Sequence, residues 1–312
     1  MSDLSSYLIT APEIQTALTE GQPVVALEST VIAHGLPYPT NLEIASALEK
    51  MIRSEGAIPA TIGLRDGKIV VGLSKSEIHE LATARSVRKV SRRDLAATLA
   101  SKALGATTVS GTMLCAHLAG LRFFSTGGIG GVHRGAPTTM DISADLTELG
   151  RTPVMVICAG AKSILDLPLT LEYLETQGVP VIGWQTDHLP AFFVQDSGLP
   201  LALRADKSET VAAIAHAHWT CGLGGLVVAC PIESAYALDY DQIETATGEA
   251  IHEAAVKGIQ GAATTPFLLR KVAELTGGES IEANKALLLN NARQAARFAL
   301  AYQRQQTMLA KS

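Results

Sequence analysis

The stretch that decides the fold is Pro153-Val154-Met155-Val156-Ile157-Cys158, followed by Ala159-Gly160-Ala161-Lys162-Ser163. Residues 153–158 form a continuous apolar run, which is typical of a β-strand covered on both faces. Small residues and one lysine then follow, where such a strand would leave the sheet. The stretch therefore predicts a buried strand of a parallel sheet, with polar chemistry placed at its carboxyl end.

Similar runs recur along the chain and alternate with helical patterns, which predicts an α/β fold with a mostly parallel central sheet. The other predicted strands are Pro23–Leu27, Ile69–Leu73, Thr107–Ser110, Phe123–Ser125, Val179–Gly183 and Leu226–Ala229. The predicted helices are one from Asn41 to Gly56 and others at Ser76–Ala84, Ser91–Leu104, Leu171–Thr176 and Ile281–Gln305. Asn41 can cap the first helix, and Gly56 and Gly178 can end helices in the left-handed conformation.

Length and composition favour one large domain over residues 1–312. Hydrophobic residues make up 47% of the chain and charged residues 18%, which is enough for a sizeable core. No Ser/Pro-rich run, charge block or low-complexity tract marks a linker.

Charge and apolar patterning exclude several classes of protein. The net charge of -5 argues against a polymeric nucleic acid as partner. The longest apolar run, Gly222 to Cys230, is too short to span a bilayer, and the first residues lack a secretory signal. Four cysteines without a Cys-x-x-Cys pair argue against a disulfide framework or a zinc ribbon. These features predict a cytoplasmic protein that does not associate with membranes.

Polar residues follow several predicted strands. Glu28 comes directly after the first strand, His133 follows the run beginning at Phe123, and Lys162 follows residues 153–158. In parallel sheets ligands collect beyond the carboxyl ends of the strands, so these side chains are expected at a common rim.

Lys162 and Glu28 each have two interpretations from spacing alone. Beside a dry surface a charged ammonium is disfavoured, which would free the Lys162 lone pair for attack on a carbonyl. The alternative is a surface lysine at a helix start. Glu28 is either a general acid/base or a capping or salt-bridged carboxylate.

Three further segments point to anions or metals, each with a structural alternative. The basic cluster Arg85–Arg93 is either a solvated helix face or a contact for one phosphate. Gly127–Gly131 offers backbone amides to an anion, or forms a tight turn. Asp141 and Asp145 would share one face if their segment is helical and would then suit Mg²⁺ or Mn²⁺. The alternative is one capping aspartate and one solvated aspartate.

Taken together, the motifs resemble the pseudouridine-5'-phosphate glycosidase family, also called the indigoidine synthase A-like family. The resemblance lies in Glu28–Pro39, Lys89–Asp94, Thr108–Met113, Ser125–Gly135, Asp141–Leu146, Lys162–Asp166, Thr170–Thr176, Glu282–Asn284 and Asn290–Ala292. It covers nearly the whole chain, although Cys230–Glu233 departs from the family's wording.

The resemblance implies a three-layer α/β/α sandwich, a homotrimer and a set of site residues. Lys162 would be the nucleophile, Glu28 the proton donor and Asp141 the ligand of a divalent metal, Mn²⁺ or another such as Mg²⁺. The substrate would be held by Lys89, Val109, Ser143, Ala144 and Asp145, with Thr126, His133 and Asn284 as neighbours.

The reaction that the resemblance implies is cleavage of pseudouridine 5'-phosphate to uracil and ribose 5-phosphate, through an imine between Lys162 and the opened sugar. Two alternatives stay open on the residues. One is an aldolase-like enzyme that uses the same lysine and phosphate contacts, and the other is a non-catalytic sugar-phosphate sensor. The family's second name also leaves open a role in pigment biosynthesis.

Overall fold

Most strands of the protein lie in one sheet, seen in a computed structural model that describes residues 4–259 and 261–311. The strands are β1 (Leu8–Thr10), β2 (Val24–Leu27), β3 (Ile58–Arg65), β4 (Lys68–Val71), β5 (Arg88–Val90), β6 (Gly105–Thr107), β7 (Phe123–Ser125), β8 (Val132–His133), β9 (Met155–Cys158), β10 (Leu165–Asp166), β11 (Val181–Trp184), β12 (Leu203–Ala205) and β13 (Leu226–Ala229). Only β8 and β10 lie outside this sheet, as a small antiparallel pair.

The helices are distributed along the whole chain. They are α1 (Pro12–Thr19), α2 (Thr40–Ser54), α3 (Lys75–Thr83), α4 (Arg92–Ala100), α5 (Val109–Leu118), α6 (Ala136–Thr139), α7 (Ala144–Arg151), α8 (Leu167–Thr176), α9 (Ser208–Thr220), α10 (Tyr240–Val256), α11 (Thr264–Leu275) and α12 (Glu279–Leu309). Short 3-10 helices lie at Leu4–Ser6, Ser234–Tyr236 and Gly261–Ala263, and one turn of π-helix lies at Val31–Gly35.

The strand order is β1-β4-β3-β2-β7-β9-β13-β11-β12, with β6 against β3 and β5 against β6. All pairs from β3 across to β12 along this path are parallel, and only the pairs that β3 makes with β4 and β6 are antiparallel. Helices α2, α9 and α12 pack together on the sheet, and α4, α5, α7 and α8 form a second packed group. The predicted three-layer α/β/α sandwich is therefore confirmed.

β9, the strand of the opening stretch, lies in the middle of the sheet. It pairs with β7 on one side and β13 on the other, and its four side chains are fully buried. Both faces are therefore covered, which explains why the sequence shows a continuous apolar run instead of an alternating one.

One predicted strand and one predicted cap are wrong in part. Thr107–Ser110 was expected to be a strand, but β6 ends at Thr107 and α5 begins at Val109. The change occurs because the Thr108 hydroxyl accepts a hydrogen bond from the Gly111 amide (3.2 Å) and caps the helix. Asn41 lies inside α2 and is buried, and its amide donates to the Ile32 and Ala82 carbonyls.

The predicted helix ends are confirmed. Gly56 follows α2 with φ +88°, and Gly178 follows α8 with φ +69°, both in the left-handed region. Among the described residues, no helix combines the length and apolarity needed to cross a membrane. All four cysteines are free, and three of them are buried.

Candidate active site

A cavity of about 840 Å³ opens beyond the carboxyl ends of β2, β7 and β9. It brings together every site residue that the family resemblance implies, from segments far apart along the chain. These residues are Glu28, Lys89, Val109, Thr126, His133, Asp141, Ser143, Ala144, Asp145, Lys162 and Asn284. The expectation of a common rim is met in placement, and the role of each residue stays a prediction.

Glu28 is the first residue after β2 and is half-buried at the cavity wall. One carboxylate oxygen accepts from the Thr30 hydroxyl and the other from the Thr126 hydroxyl. The two donors come from different strand ends, so the carboxylate is held in one orientation. Such a fixed group suits proton transfer to a bound ligand.

Lys162 reaches the same cavity from the loop after β9. Its ammonium nitrogen Nζ donates to the Gly128 carbonyl at 2.6 Å, and its backbone amide donates to Ile129 at 3.1 Å. The next helix, α8, begins only at Leu167. Lys162 is thus a half-buried cavity lysine, and the surface lysine at a helix start is the wrong interpretation.

The glycine loop 127–131 is fixed by its neighbours more than the sequence indicates. The amide of Ile129 donates to Gly160, and that of Gly130 donates to the Asp145 carboxylate at 2.8 Å. A Cβ at Gly130 would lie 2.2 Å from the Ser143 hydroxyl oxygen, so only glycine fits. Because these amides are already used, the loop is a tight structural turn at that point and a poorer anion cradle than expected.

Asp145 does not share a helix face with Asp141, which corrects the prediction. Helix α7 begins at Ala144, after the Ser143 cap, and Asp141 lies before it. Asp145 is nearly fully buried, and besides Gly130 it accepts from the Ser110 amide at 2.9 Å. This carboxylate ties the start of α5 to the glycine loop.

The basic cluster passes through β5 and into α4, so it is not a solvated helix face. Lys89 projects into the cavity, where burial, and next the nearby charge of Lys162, lower its pKa. Arg92 forms a bidentate pair with buried Glu148, with both N–O distances 2.6 Å. One wall of the cavity therefore combines the Lys89 charge with a paired arginine and glutamate.

Asp141 and His133 lie near each other at the rim. Burial lowers the pKa of His133, which the Asp141 carboxylate partly opposes. Within residues 4–259 and 261–311 no group of three or more His, Cys, Asp or Glu side chains is arranged to hold a metal. A single carboxylate fits a hard cation that keeps most of its own water ligands, as Mg²⁺ often does.

Sequence reasoning missed several residues of the cavity. His34 lies in the π-helical turn, its Nε2 is buried without a hydrogen-bond partner among the described residues, and burial and then Lys89 lower its pKa. The cavity wall also contains four residues that the sequence did not indicate, namely Phe192, Thr265, Pro266 and Leu269. His34 lies within the motif Glu28–Pro39 and could have been found there, whereas the others follow no predicted strand.

The fold and the site define a class: α/β proteins that take a small ligand at the carboxyl edge of a parallel sheet. Within that class the chain belongs to the family described as "Indigoidine synthase A like protein", which it matches over residues 13–301.

Curated relatives and solved structures agree with this family. The chain is 54% identical over 300 residues to the "Pseudouridine-5'-phosphate glycosidase" of Glaesserella parasuis serovar 5 (strain SH0165), covering 96% of this chain and 99% of the relative. It is 55% identical over 302 residues to the protein of the same name from Staphylococcus aureus (strain MW2), covering 96% and 98%. The crystal structure of the prealnumycin C-glycosynthase AlnA in complex with ribulose 5-phosphate superposes with a TM-score of 0.90, at 44% identity, covering 97% of this chain and 99% of that one.

Proposed function

We propose that this chain is a pseudouridine-5'-phosphate glycosidase, which reversibly cleaves the C–C glycosidic bond of pseudouridine 5'-phosphate to uracil and ribose 5-phosphate. Relatives of that name are 54% and 55% identical to it over nearly their whole length. The observation that carries the chemistry is the meeting of Lys162, Glu28 and Lys89 in one cavity.

A C–C glycosidic bond calls for a nucleophile that can act as an electron sink. Ordinary glycosidases use two carboxylates and protonate a leaving oxygen, which this bond does not have. A lysine amine forms an imine with the first carbon of the opened sugar, and the imine nitrogen takes part directly in breaking the bond. Lys162 lines the same cavity as Glu28 and lies in the segment Lys162–Asp166 that resembles the family, so we assign this role to it.

The first half of the proposed reaction opens the sugar. Protonated Glu28 donates to the ring oxygen O4′ while the C1′–O4′ bond breaks, and electrons from the uracil ring form a double bond between C5 and C1′. The neutral Lys162 amine then adds to C1′, returning these electrons to the ring, and its proton passes to Glu28.

The second half releases the two products. Glu28 protonates C5 of uracil, and the C1′–C5 bond breaks as the Lys162 lone pair forms the imine, so that its electron pair stays with uracil. Water hydrolyses the imine to the aldehyde of ribose 5-phosphate and the free amine, and the released proton returns to Glu28. The sum is substrate plus water giving uracil plus ribose 5-phosphate.

The wall that carries Lys89 is proposed to hold the phosphate. Lys89 supplies a positive charge at a half-buried position. Val109 begins α5, a helix of ten residues whose amino end faces the cavity with Ser143 and Ala144 close by. Charge-assisted hydrogen bonds to a phosphate would fix the substrate away from the reacting carbon.

A divalent cation, Mn²⁺ or Mg²⁺, is proposed at Asp141, where it would order the site through its water ligands. We further propose that residues 1–312 form one domain of a cytoplasmic homotrimer. Metal analysis of protein purified without chelator tests the first statement, and sedimentation equilibrium tests the trimer. A monomer in solution would contradict it.

The decisive experiment is mass spectrometry of the protein mixed with ribose 5-phosphate, Mn²⁺ and borohydride. Reduction of the imine is expected to leave a pentose-phosphate adduct on Lys162. An unmodified Lys162 in folded protein would contradict the nucleophile. Adduct formation with aldehyde condensation instead of uracil exchange would support the aldolase-like alternative, and binding without adduct or turnover would support the sensor.

The synthetic direction is a second candidate, favoured by the likeness to a C-glycosynthase. Uracil and ribose 5-phosphate are then the substrates, and the same lysine serves both directions because the steps are reversible. Measuring product from uracil and from larger planar acceptors separates pseudouridine metabolism from a role in pigment biosynthesis.

A further inference from the structure

Phe192 combines a strained backbone with a place in the cavity wall. Its φ is +62°, a left-handed conformation that bulky residues rarely adopt. The side chain is only 2% exposed, yet it lines the cavity that holds Lys162. Strain of this kind persists where the surrounding structure fixes it, often at active sites.

The contacts of Phe192 lead to the two loops that carry and orient Lys162. Its backbone amide donates to the Ala159 carbonyl at 2.9 Å, in the loop after β9. Its ring packs on Gly128, where an added Cβ would lie 2.6 Å from the ring carbon Cδ2. The Gly128 carbonyl is the group that accepts from Lys162 Nζ.

The residues around Phe192 repeat this close approach. The Pro190 carbonyl oxygen lies 2.1 Å from the position of a Cβ on Gly160, which has φ +81°. Gly160 in turn accepts from the Ile129 amide, so loops 127–131 and 159–162 are joined to each other and both touch segment 190–192. A relaxed conformation at Phe192 would withdraw the ring from Gly128.

We infer that Phe192 is a positioning residue for Lys162. Its left-handed backbone places the ring against Gly128, and this contact keeps the Gly128 carbonyl where it holds the amine toward the cavity. The inference rests on the proposed imine chemistry, because only a reacting lysine needs such a fixed amine. The strain is then the cost of a preorganised nucleophile.

Phe193 provides a matched control within the same segment. It is as buried as Phe192, at 3% exposed, and the two rings lie 4.5 Å apart. Its backbone lies outside the left-handed region, and its side chain does not line the cavity. A purely structural role would therefore give both phenylalanines the same mutational effect.

The test compares Phe192→Leu with Phe193→Leu, both in the full chain. Four quantities are measured for each variant: the rate of borohydride trapping with ribose 5-phosphate, kcat, KM and the melting temperature. Phe192→Leu is expected to lower the trapping rate and kcat about 10- to 100-fold with little change in KM, as a small misplacement of a reacting group does. Phe193→Leu is expected to lower the melting temperature similarly while the trapping rate stays close to that of the wild type.

The results distinguish a failure of the proposed imine chemistry from a failure of the proposed role of Phe192. A wild-type protein that forms no adduct would overturn the imine and this inference with it. A wild-type adduct together with equal trapping rates in the two variants would overturn the role of Phe192 alone. If Phe192→Leu does not fold, Phe192→Met, which fills similar volume with a flexible side chain, replaces it and the same comparison applies.

Discussion

The two lysines of the cavity lie on walls of different construction. The Lys162 wall is made of glycine loops, whose amides and carbonyls bond to one another and to the lysine. The Lys89 wall is made of charged side chains, with Arg92 paired to Glu148 and Asp145 bound to two amides. Backbone contacts fix position tightly, whereas charges attract a ligand over distance. We therefore expect the Lys162 wall to position the reacting atom and the Lys89 wall to hold the substrate.

The largest loss of activity is expected when the reacting group of the Lys162 wall is replaced. Lys162→Arg keeps a long basic side chain but cannot form an imine, so kcat is expected to fall about 10⁴-fold or more, the range for loss of a covalent nucleophile. Lys89→Arg serves as the control and should keep most of kcat. Steady-state assays of uracil release measure both, and an active Lys162→Arg variant would refute the division between the walls.

Glu28→Gln is expected to have the next largest effect. The amide keeps the shape of the side chain and can still bond to the Thr30 and Thr126 hydroxyls, but it transfers no proton. A loss of about 10²- to 10⁴-fold in kcat is expected, with binding of ribose 5-phosphate unchanged by calorimetry. Full activity in this variant would remove Glu28 from the mechanism.

Lys89→Met tests the other wall, where the effect should appear in KM. Loss of one charge-assisted hydrogen bond costs about 1.5–3 kcal/mol, which corresponds to a KM about 10- to 100-fold higher. The trapping rate at saturating ribose 5-phosphate should stay close to that of the wild type. A fall in kcat without a change in KM would place Lys89 with the chemistry instead.

The pH dependence of KM should further distinguish the Lys89 wall from the Lys162 wall. The pKa of Lys89 is lowered, first by burial and next by Lys162. As pH rises, this side chain therefore loses its positive charge at a lower pH than an ordinary lysine does. The protonated form is proposed to bind the phosphate, and KM should therefore rise as pH increases through that lowered pKa. Lys89→Arg should keep KM level over the same alkaline range, because arginine stays charged. Parallel KM profiles for the two proteins would contradict this assignment.

The smallest effect is expected on stability. Asp145→Asn leaves one of the two bound amides, Ser110 or Gly130, without its carboxylate acceptor at a buried position. The free energy of unfolding should fall by about 1–3 kcal/mol. Asp166, a helix cap whose carboxylate accepts from the Leu169 amide at 3.0 Å, is the control, and Asp166→Asn should cost less. Denaturant titration measures both, and equal losses would argue against a bracing role for Asp145.

Much of the fold could be predicted from short-range patterns. Two strands have the predicted bounds, Leu226–Ala229 and Phe123–Ser125. The expectation that polar residues after the strands lie at a common rim is met by Glu28, His133 and Lys162, which line one cavity. These successes share a cause, since a strand buried on both faces must be apolar and must end where polar groups can begin.

What escaped prediction depends on contacts between distant residues. β3 contains Pro59 and Gly63, which indicate a loop by local rules, yet Pro59 is paired with Val25 of β2, and Gly63 is paired with Val70 of β4 and Ala106 of β6. Phe192 adopts its left-handed backbone only because two other loops hold it there. Local propensity has no information on such constraints, so neither feature is visible in the sequence.

The hydrogen bonds from Asn291 in α12 have a consequence for biosynthesis. Its side-chain amide donates to the Thr126 and Gly127 carbonyls, 165 and 164 residues earlier in the chain. Chains emerge from the ribosome amino end first, and α12 is made after every other helix described here. During translation the glycine loop 127–131 is therefore synthesised before Asn291, to which it is hydrogen-bonded in the folded protein. Lys162 is likewise present in the nascent chain long before the site can be ordered.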